Sequence, residues 1–216
     1  MIPKAVLFDC DGVVMDSEGI AFGLLAAELA RYGKPMTEAQ MRALFLGGTM
    51  RNFWLNARAL GADLPGDWVE AQYDRMYARL AQGTPLVPGI VGVLDALDGA
   101  GVPYAIGSNG PARKMEIMLG QYPGLMARFG GRIYSAQVLG APKPAPDVWL
   151  HAAAVLGVAA RDCVVVEDSL NGLRGGLAAG MRCFGYAAQD DGAGLAAAGA
   201  TVFHDMRALP GLLGIG

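Results

Sequence analysis

Asp9-Cys10-Asp11-Gly12 sets two carboxylates two residues apart, directly after an apolar run at residues 4–8. On an extended chain, side chains two apart point the same way, so Asp9 and Asp11 share a face while Cys10 packs on the other. Gly12 then lets the backbone turn. Ser108-Asn109-Gly110-Pro111 follows a second apolar run, at residues 102–106. A Ser hydroxyl, free N–H groups and a Pro at the first helical position make an anion seat at a helix N-terminus. Lys143 stands between Pro142 and Pro144, which fix its backbone more firmly than a surface lysine requires. Glu167-Asp168-Ser169 comes straight after the apolar run at residues 163–166. Two adjacent acids at the end of a buried strand are costly unless a cation or a hydrogen-bond donor receives them. Taken singly, each group also reads as an ordinary turn or helix cap. A cap by Asp168 or Ser169, however, leaves Glu167 without a purpose.

The elements that must position these groups follow from the same runs. Residues 4–8, 102–106 and 163–166 have strand length and β-branched content, and each leads through a polar turn into a helical pattern. Near-continuously apolar strands alternating with helices predict a parallel sheet covered on both faces. Ligands bind outside the carboxyl ends of the strands in such sheets. All four groups fall there. From about residue 17 to residue 84 the chain reads as helices only, with helical spacing at residues 20–30, 41–45, 53–60 and 68–80. Thr37 is a helix start and Gly33 a stop. An all-helical stretch between two strands of one sheet is an inserted cap. The expected fold is therefore α/β: a Rossmann-like three-layer core at residues 1–16 and 85–216 carrying a helical cap at residues 17–84. Thr84-Pro85-Leu86-Val87-Pro88-Gly89 is the return hinge.

Composition narrows the classes further. The chain has 216 residues, 53% of them hydrophobic, enough for a sizeable core. Its 17 Lys and Arg against 20 Asp and Glu are scattered without a basic stripe, which argues against nucleic-acid binding. Cys10, Cys163 and Cys183 are far apart and two lie in apolar runs, fitting buried thiols in a reducing, cytoplasmic compartment. Asp9 and Asp11 interrupt the N-terminal apolar stretch too early for a signal peptide. No uncharged apolar run approaches a membrane span. A soluble monomer or weak homo-oligomer is expected. His151 and His204 belong to no constellation, and the Trp and Met residues read as core.

The order Asp-x-Asp-Gly, Ser-Asn, Lys-Pro, Glu-Asp-Ser resembles the haloacid-dehalogenase-like superfamily. Asp16-Ser17-Glu18 and the Lys143-Pro144-Ala145-Pro146-Asp147 string are similar to its β-phosphoglucomutase-like phosphatases, and Ser108-Asn109-Gly110-Pro111 with Lys114-Met115 to its bacterial sugar-phosphate phosphatases. The resemblance implies an Mg²⁺-dependent phosphatase for a small phosphorylated metabolite. Asp9 would be the nucleophile and Asp11 the general acid and base. Asp9, the Asp11 carbonyl, Asp168 and Glu167, directly or through water, would hold Mg²⁺. Ser108, the N–H groups of Asn109 and Gly110, and Lys143 would hold the phosphoryl oxygens. Glu18 and Lys114 join them as specificity residues. Arg51, in the first turn of a cap helix after Gly47-Gly48-Thr49, is expected to close over the substrate's distal oxygens. A β-phosphoglucomutase-type mutase is the nearest alternative. A dehalogenase would need no acid for a leaving halide, and a catalytically dead sensor would be expected to lack one of Asp9, Asp11, Lys143 and Asp168, all present here.

Overall fold

The computed structural model describes residues 2–216. Among these, six strands pair in parallel in the order β3-β2-β1-β4-β5-β6. They are β1 (Ala5–Phe8), β2 (Tyr104–Ser108), β3 (Ile133–Ser135), β4 (Cys163–Glu167), β5 (Arg182–Tyr186) and β6 (Thr201–Phe203). The central β1 lies between β2 and β4, so the chain order reverses at its carboxyl end, where open α/β sheets form their crevice.

Between β1 and the next core helix the chain forms α1 (Glu18–Arg31), α2 (Glu38–Phe45), α3 (Met50–Ala59) and α4 (Trp68–Leu80). Local chemistry starts two of them. Thr37 makes a reciprocal capping box with Gln40, and the Thr49 hydroxyl accepts the Asn52 N–H at 3.1 Å. Within the insert Phe53 stacks on Trp68 with centroids 5.5 Å apart, and its buried apolar residues are continuous with those on one face of the sheet. Its two crossings into the core are tied together. The Asp16 N–H donates to the Pro85 carbonyl at 2.9 Å and the Val87 N–H to the Val14 carbonyl at 3.0 Å.

Two helical layers cover the sheet. Val6, Phe8, Ile106 and Val166 face one layer, which contains α5 (Ile90–Gly99), α6 (Ala112–Leu119) and α7 (Pro123–Phe129). Ala5, Leu7, Ala105 and Val165 face the other, with α8 (Asp147–Val155), α9 (Leu170–Ala178) and α10 (Ala193–Ala197). The last helix, α11 (Leu209–Leu213), returns to the first layer. This strict alternation is the period-2 pleat seen in three dimensions. Cys10, Cys163 and Cys183 are buried free thiols. No helix among the described residues is long and apolar enough to cross a membrane.

Candidate active site

The register brings the expected groups together. Phe8 pairs with Ile106 on one side and Val166 on the other. The next residue along β1, Asp9, therefore emerges beside Glu167 and close to the end of β2 that carries Ser108. Asp9, Ser108, Lys143 and Glu167 are all buried. The Lys143 ammonium sits between two carboxylates, 2.5 Å from Asp9 Oδ1 and 2.7 Å from Glu167 Oε1. It also lies 4.2 Å from the centre of the Trp149 ring, so its remaining face meets an aromatic π-cloud. Burial alone would favour the neutral amine, yet Asp9 and Glu167 outweigh it and raise the Lys143 pKa.

Glu167 is held by donors rather than left to a cation alone. Its Oε2 accepts the Asp168 and Ser169 N–H groups at 3.1 and 3.0 Å and the Ser169 hydroxyl at 2.9 Å. The same hydroxyl caps α9 by accepting the Gly172 N–H at 3.1 Å. The cap and the acid are thus one network, with Ser169 serving both.

Asp11 is anchored separately, by Lys114 Nζ at 2.6 Å and by the Ser17 hydroxyl. Burial would lower the Lys114 pKa, but Asp11 prevails and raises it. Asn109 turns its side chain away from the anion seat. Its amide donates to the Gly47 carbonyl at 2.9 Å and its Oδ1 accepts the Lys143 N–H at 2.7 Å. Asn109 therefore clips the lysine loop to the insert. The Gly110 N–H already donates to Ser108 Oγ at 2.9 Å, so in this structure that donor is engaged within the loop. Pro111 is the cap of α6 rather than its first residue.

Glu18 pairs with Arg42 at 2.6 Å and lies against Asp168. Arg51, by contrast, does not reach the site. It is exposed, with its guanidinium 4.6 Å from the Trp54 ring centre, on the outer side of α3. A helix places a residue's neighbours at 100° steps, and it is the adjacent Met50 that faces inward. Several contributors escape a sequence reading. Gln137 donates to the Asn109 carbonyl at 2.7 Å and to the Tyr73 hydroxyl of α4 at 3.3 Å, and Ser135 donates to the Gly110 carbonyl at 2.7 Å. Both follow from the short β3, which carries no periodic signal.

Asp9, Glu167 and Asp168 each offer a carboxylate oxygen, and the three atoms lie within 4.8 Å of one another. Burial pushes the Asp9 carboxyl up to about 7 against the pull of Lys143. Burial, together with the neighbouring Glu18, also drives Asp168 well above the usual carboxylate range. Clustered buried acids without His or Cys are the donor set a hard divalent cation fits, since it offsets the mutual repulsion. Gly12 is what admits Asp168 to the cluster. It sits at φ +77°, and a Cβ there would lie 2.1 Å from Asp168 Oδ2. Gly12→Ala is thus expected to displace Asp168 and cost about 1–3 kcal/mol of stability through backbone strain. Thermal unfolding of the variant beside the wild type checks this: an unchanged Tm would show that the position tolerates a Cβ.

A cavity of about 130 Å³ lies between these groups and the insert, room on the order of four waters. It suits a small molecule rather than a macromolecular segment.

A parallel sheet that switches direction at a buried carboxylate–lysine cluster, under an all-helical insert, defines an α/β enzyme site. The chain belongs to the haloacid dehalogenase-like hydrolase family, whose family model matches residues 3–180. It is 28% identical over 218 residues to the 6-phosphogluconate phosphatase of Escherichia coli K12, covering 97% of this chain and 94% of that one. It is 32% identical to a phosphoglycolate phosphatase of Xylella fastidiosa, over 88% of this chain and 84% of that protein. Among solved structures, a hydrolase of the same family from Deinococcus radiodurans R1, with bound phosphate and sodium, superposes with a TM-score of 0.79. It has 32% identity and the match covers 98% and 96% of the two chains.

Proposed function

We propose that the protein is a cytoplasmic, Mg²⁺-dependent phosphatase that hydrolyses a small, sugar-sized phosphate monoester through an aspartyl-phosphate on Asp9. The observation that carries this reading is the ammonium of Lys143 clamped between Asp9 and Glu167 at the carboxyl end of β1. That arrangement holds a nucleophilic carboxylate in place and leaves positive charge beside incoming phosphoryl oxygens. The named activities of the two relatives and the phosphate in the Deinococcus structure support the same reaction class. The buried free thiols fit a reducing compartment.

In this reading residues 17–84 act as a cap over a core of residues 1–16 and 85–216. An Asp9 carboxylate oxygen attacks phosphorus in line, forming the Asp9–phosphorus bond as the bond to the substrate alkoxide breaks. Asp11, held by Lys114 and Ser17, gives its proton to the departing oxygen. It then takes one from a water whose oxygen attacks phosphorus, releasing inorganic phosphate and restoring Asp9. Ser108 and Lys143 hold the equatorial oxygens throughout. Asp9, Asp168, Glu167 and the Asp11 carbonyl would hold Mg²⁺, which supplies charge neutralisation to the phosphoryl group when bound.

Activity should therefore need Mg²⁺, and Ca²⁺, which takes more oxygen ligands at longer distances, should not replace it. A phosphate-release screen over phosphorylated small molecules, before and after exhaustive chelation, tests this. Full activity in the chelated enzyme counts against the reading. The mutase alternative is separated on β-glucose 1-phosphate: rapid conversion to glucose 6-phosphate with negligible phosphate release would establish it.

A further inference from the structure

One contact between core and insert lies at the cavity wall and is used by no step of the hydrolysis. Gln137, in the segment after β3, and Tyr73, on α4, both line the cavity. Gln137 Nε2 donates to the Asn109 carbonyl at 2.7 Å and to the Tyr73 hydroxyl at 3.3 Å. The carbonyl settles which way the amide points, because a flipped Gln137 would set its own oxygen against that acceptor. Gln137 Oε1 and the Tyr73 hydroxyl proton are thereby left without a hydrogen-bond partner among the described residues. Both sides of the contact are held in place. Ser135, two residues before Gln137, donates to the Gly110 carbonyl at 2.7 Å and ties the end of β3 to the loop at residues 108–110. The Tyr73 ring stacks on Tyr77 with centroids 5.7 Å apart, and the Arg113 guanidinium of α6 lies 4.9 Å from the Tyr77 ring centre.

A free donor on the insert beside a free acceptor on the core is the complement of an alcohol, which accepts and donates through the same oxygen. An ester with hydrogen in place of that hydroxyl would leave both groups unpaired once it displaced their water, a loss that hydrocarbon contact does not return. We infer that Tyr73 and Gln137 together read a hydroxyl on the substrate's alcohol portion. Tyr73 donates to its oxygen and Gln137 Oε1 accepts its proton, so the substrate is a polyol or sugar phosphate rather than a plain alkyl one. This inference rests on the phosphatase reading and adds two specificity residues to it.

Esters matched in chain length test it. Glycerol 1-phosphate is set against n-propyl phosphate and sorbitol 6-phosphate against n-hexyl phosphate, by kcat/KM for phosphate release with Mg²⁺, with p-nitrophenyl phosphate beside them. The expected result is a preference of roughly tenfold or more for the hydroxylated member of at least one pair. Tyr73→Phe, which keeps the ring and its stacking on Tyr77, should cut that preference by roughly tenfold. Comparing variant with wild type cancels the esters' own difference in reactivity. Gln137→Leu should cut the preference too, and slow every ester besides, because the Asn109 carbonyl loses its donor. Wild-type indifference to the hydroxyls, or a preference unchanged in folded Tyr73→Phe, overturns the inference while leaving the phosphatase reading intact. Phosphate from p-nitrophenyl phosphate with none from the other four esters has the same meaning. No phosphate from any of the five overturns the phosphatase reading and the inference with it.

Discussion

Asp9→Asn is expected to lower kcat by roughly 10⁴-fold or more while leaving the protein folded. The amide is nearly the same shape as the carboxylate, and Asp9 sits in a buried position at the end of β1 whose backbone N–H still donates to the Val166 carbonyl at 3.0 Å. What is lost is chemical. An amide oxygen is a poor nucleophile, cannot carry the phosphoryl group through a second displacement, and removes one charge from the Asp9, Glu167 and Asp168 cluster. Circular dichroism and thermal unfolding should match the wild type closely, with phosphate release at the background rate. Near-wild-type release would mean that Asp9 is not the nucleophile.

Lys143→Ala should damage both activity and stability, which distinguishes it from Asp9→Asn. Lys143 is 5% exposed and is the cation between Asp9 and Glu167. Removing one partner of a buried charge network leaves the others uncompensated, at a cost on the order of 3–5 kcal/mol. The loss of a charge beside the phosphoryl oxygens should separately reduce kcat by roughly 10²–10³-fold. Denaturant unfolding in chelator measures the first effect. Added Mg²⁺ should recover part of it, since the same carboxylates would be neutralised by the metal. A variant as stable as the wild type in chelator would show that the Lys143 pairs contribute nothing to folding.

The sheet's centre was legible because β1 and β4 are unbroken apolar runs, and the insert because α4 is bounded in the sequence where the structure bounds it, at residues 68–80. The rest fails for identifiable reasons. β2 runs on to Ser108 although Gly107-Ser108 reads as a turn. Gly107 is in the strand because a Cβ there would meet the Trp149 ring at 2.9 Å, a tertiary demand with no local signature. β5 contains Gly185 for a similar reason, with Leu195 of α10 packed 3.0 Å from where its Cβ would be. β3 and β6 are three residues each, too short for a period to emerge. At the site, Asp9, Asp11 and Glu167 were visible as polar groups at strand ends and Lys143 by its flanking prolines, whereas several of their contacts were not. Ser17, Gln137 and Trp149 acquire their roles from elements far apart in sequence. Arg51 was given a distal role from its place in the first turn of α3, but the phase of the helix turns it outward and Met50 inward. A helix start can be located from its cap, but one residue of uncertainty rotates a side chain by 100°.

The covalent intermediate on Asp9 is the claim on which the rest depends, and it can be observed. Enzyme in excess over a turned-over phosphate ester, with Mg²⁺ present, is quenched in acid within the first turnover, and the peptide bearing Asp9 is examined by mass spectrometry. The account predicts one added phosphoryl group on Asp9, absent in Asp9→Asn and decaying as inorganic phosphate appears. Stoichiometric phosphate release with Asp9 never modified at any quench time would mean that water attacks the substrate directly, and would contradict it.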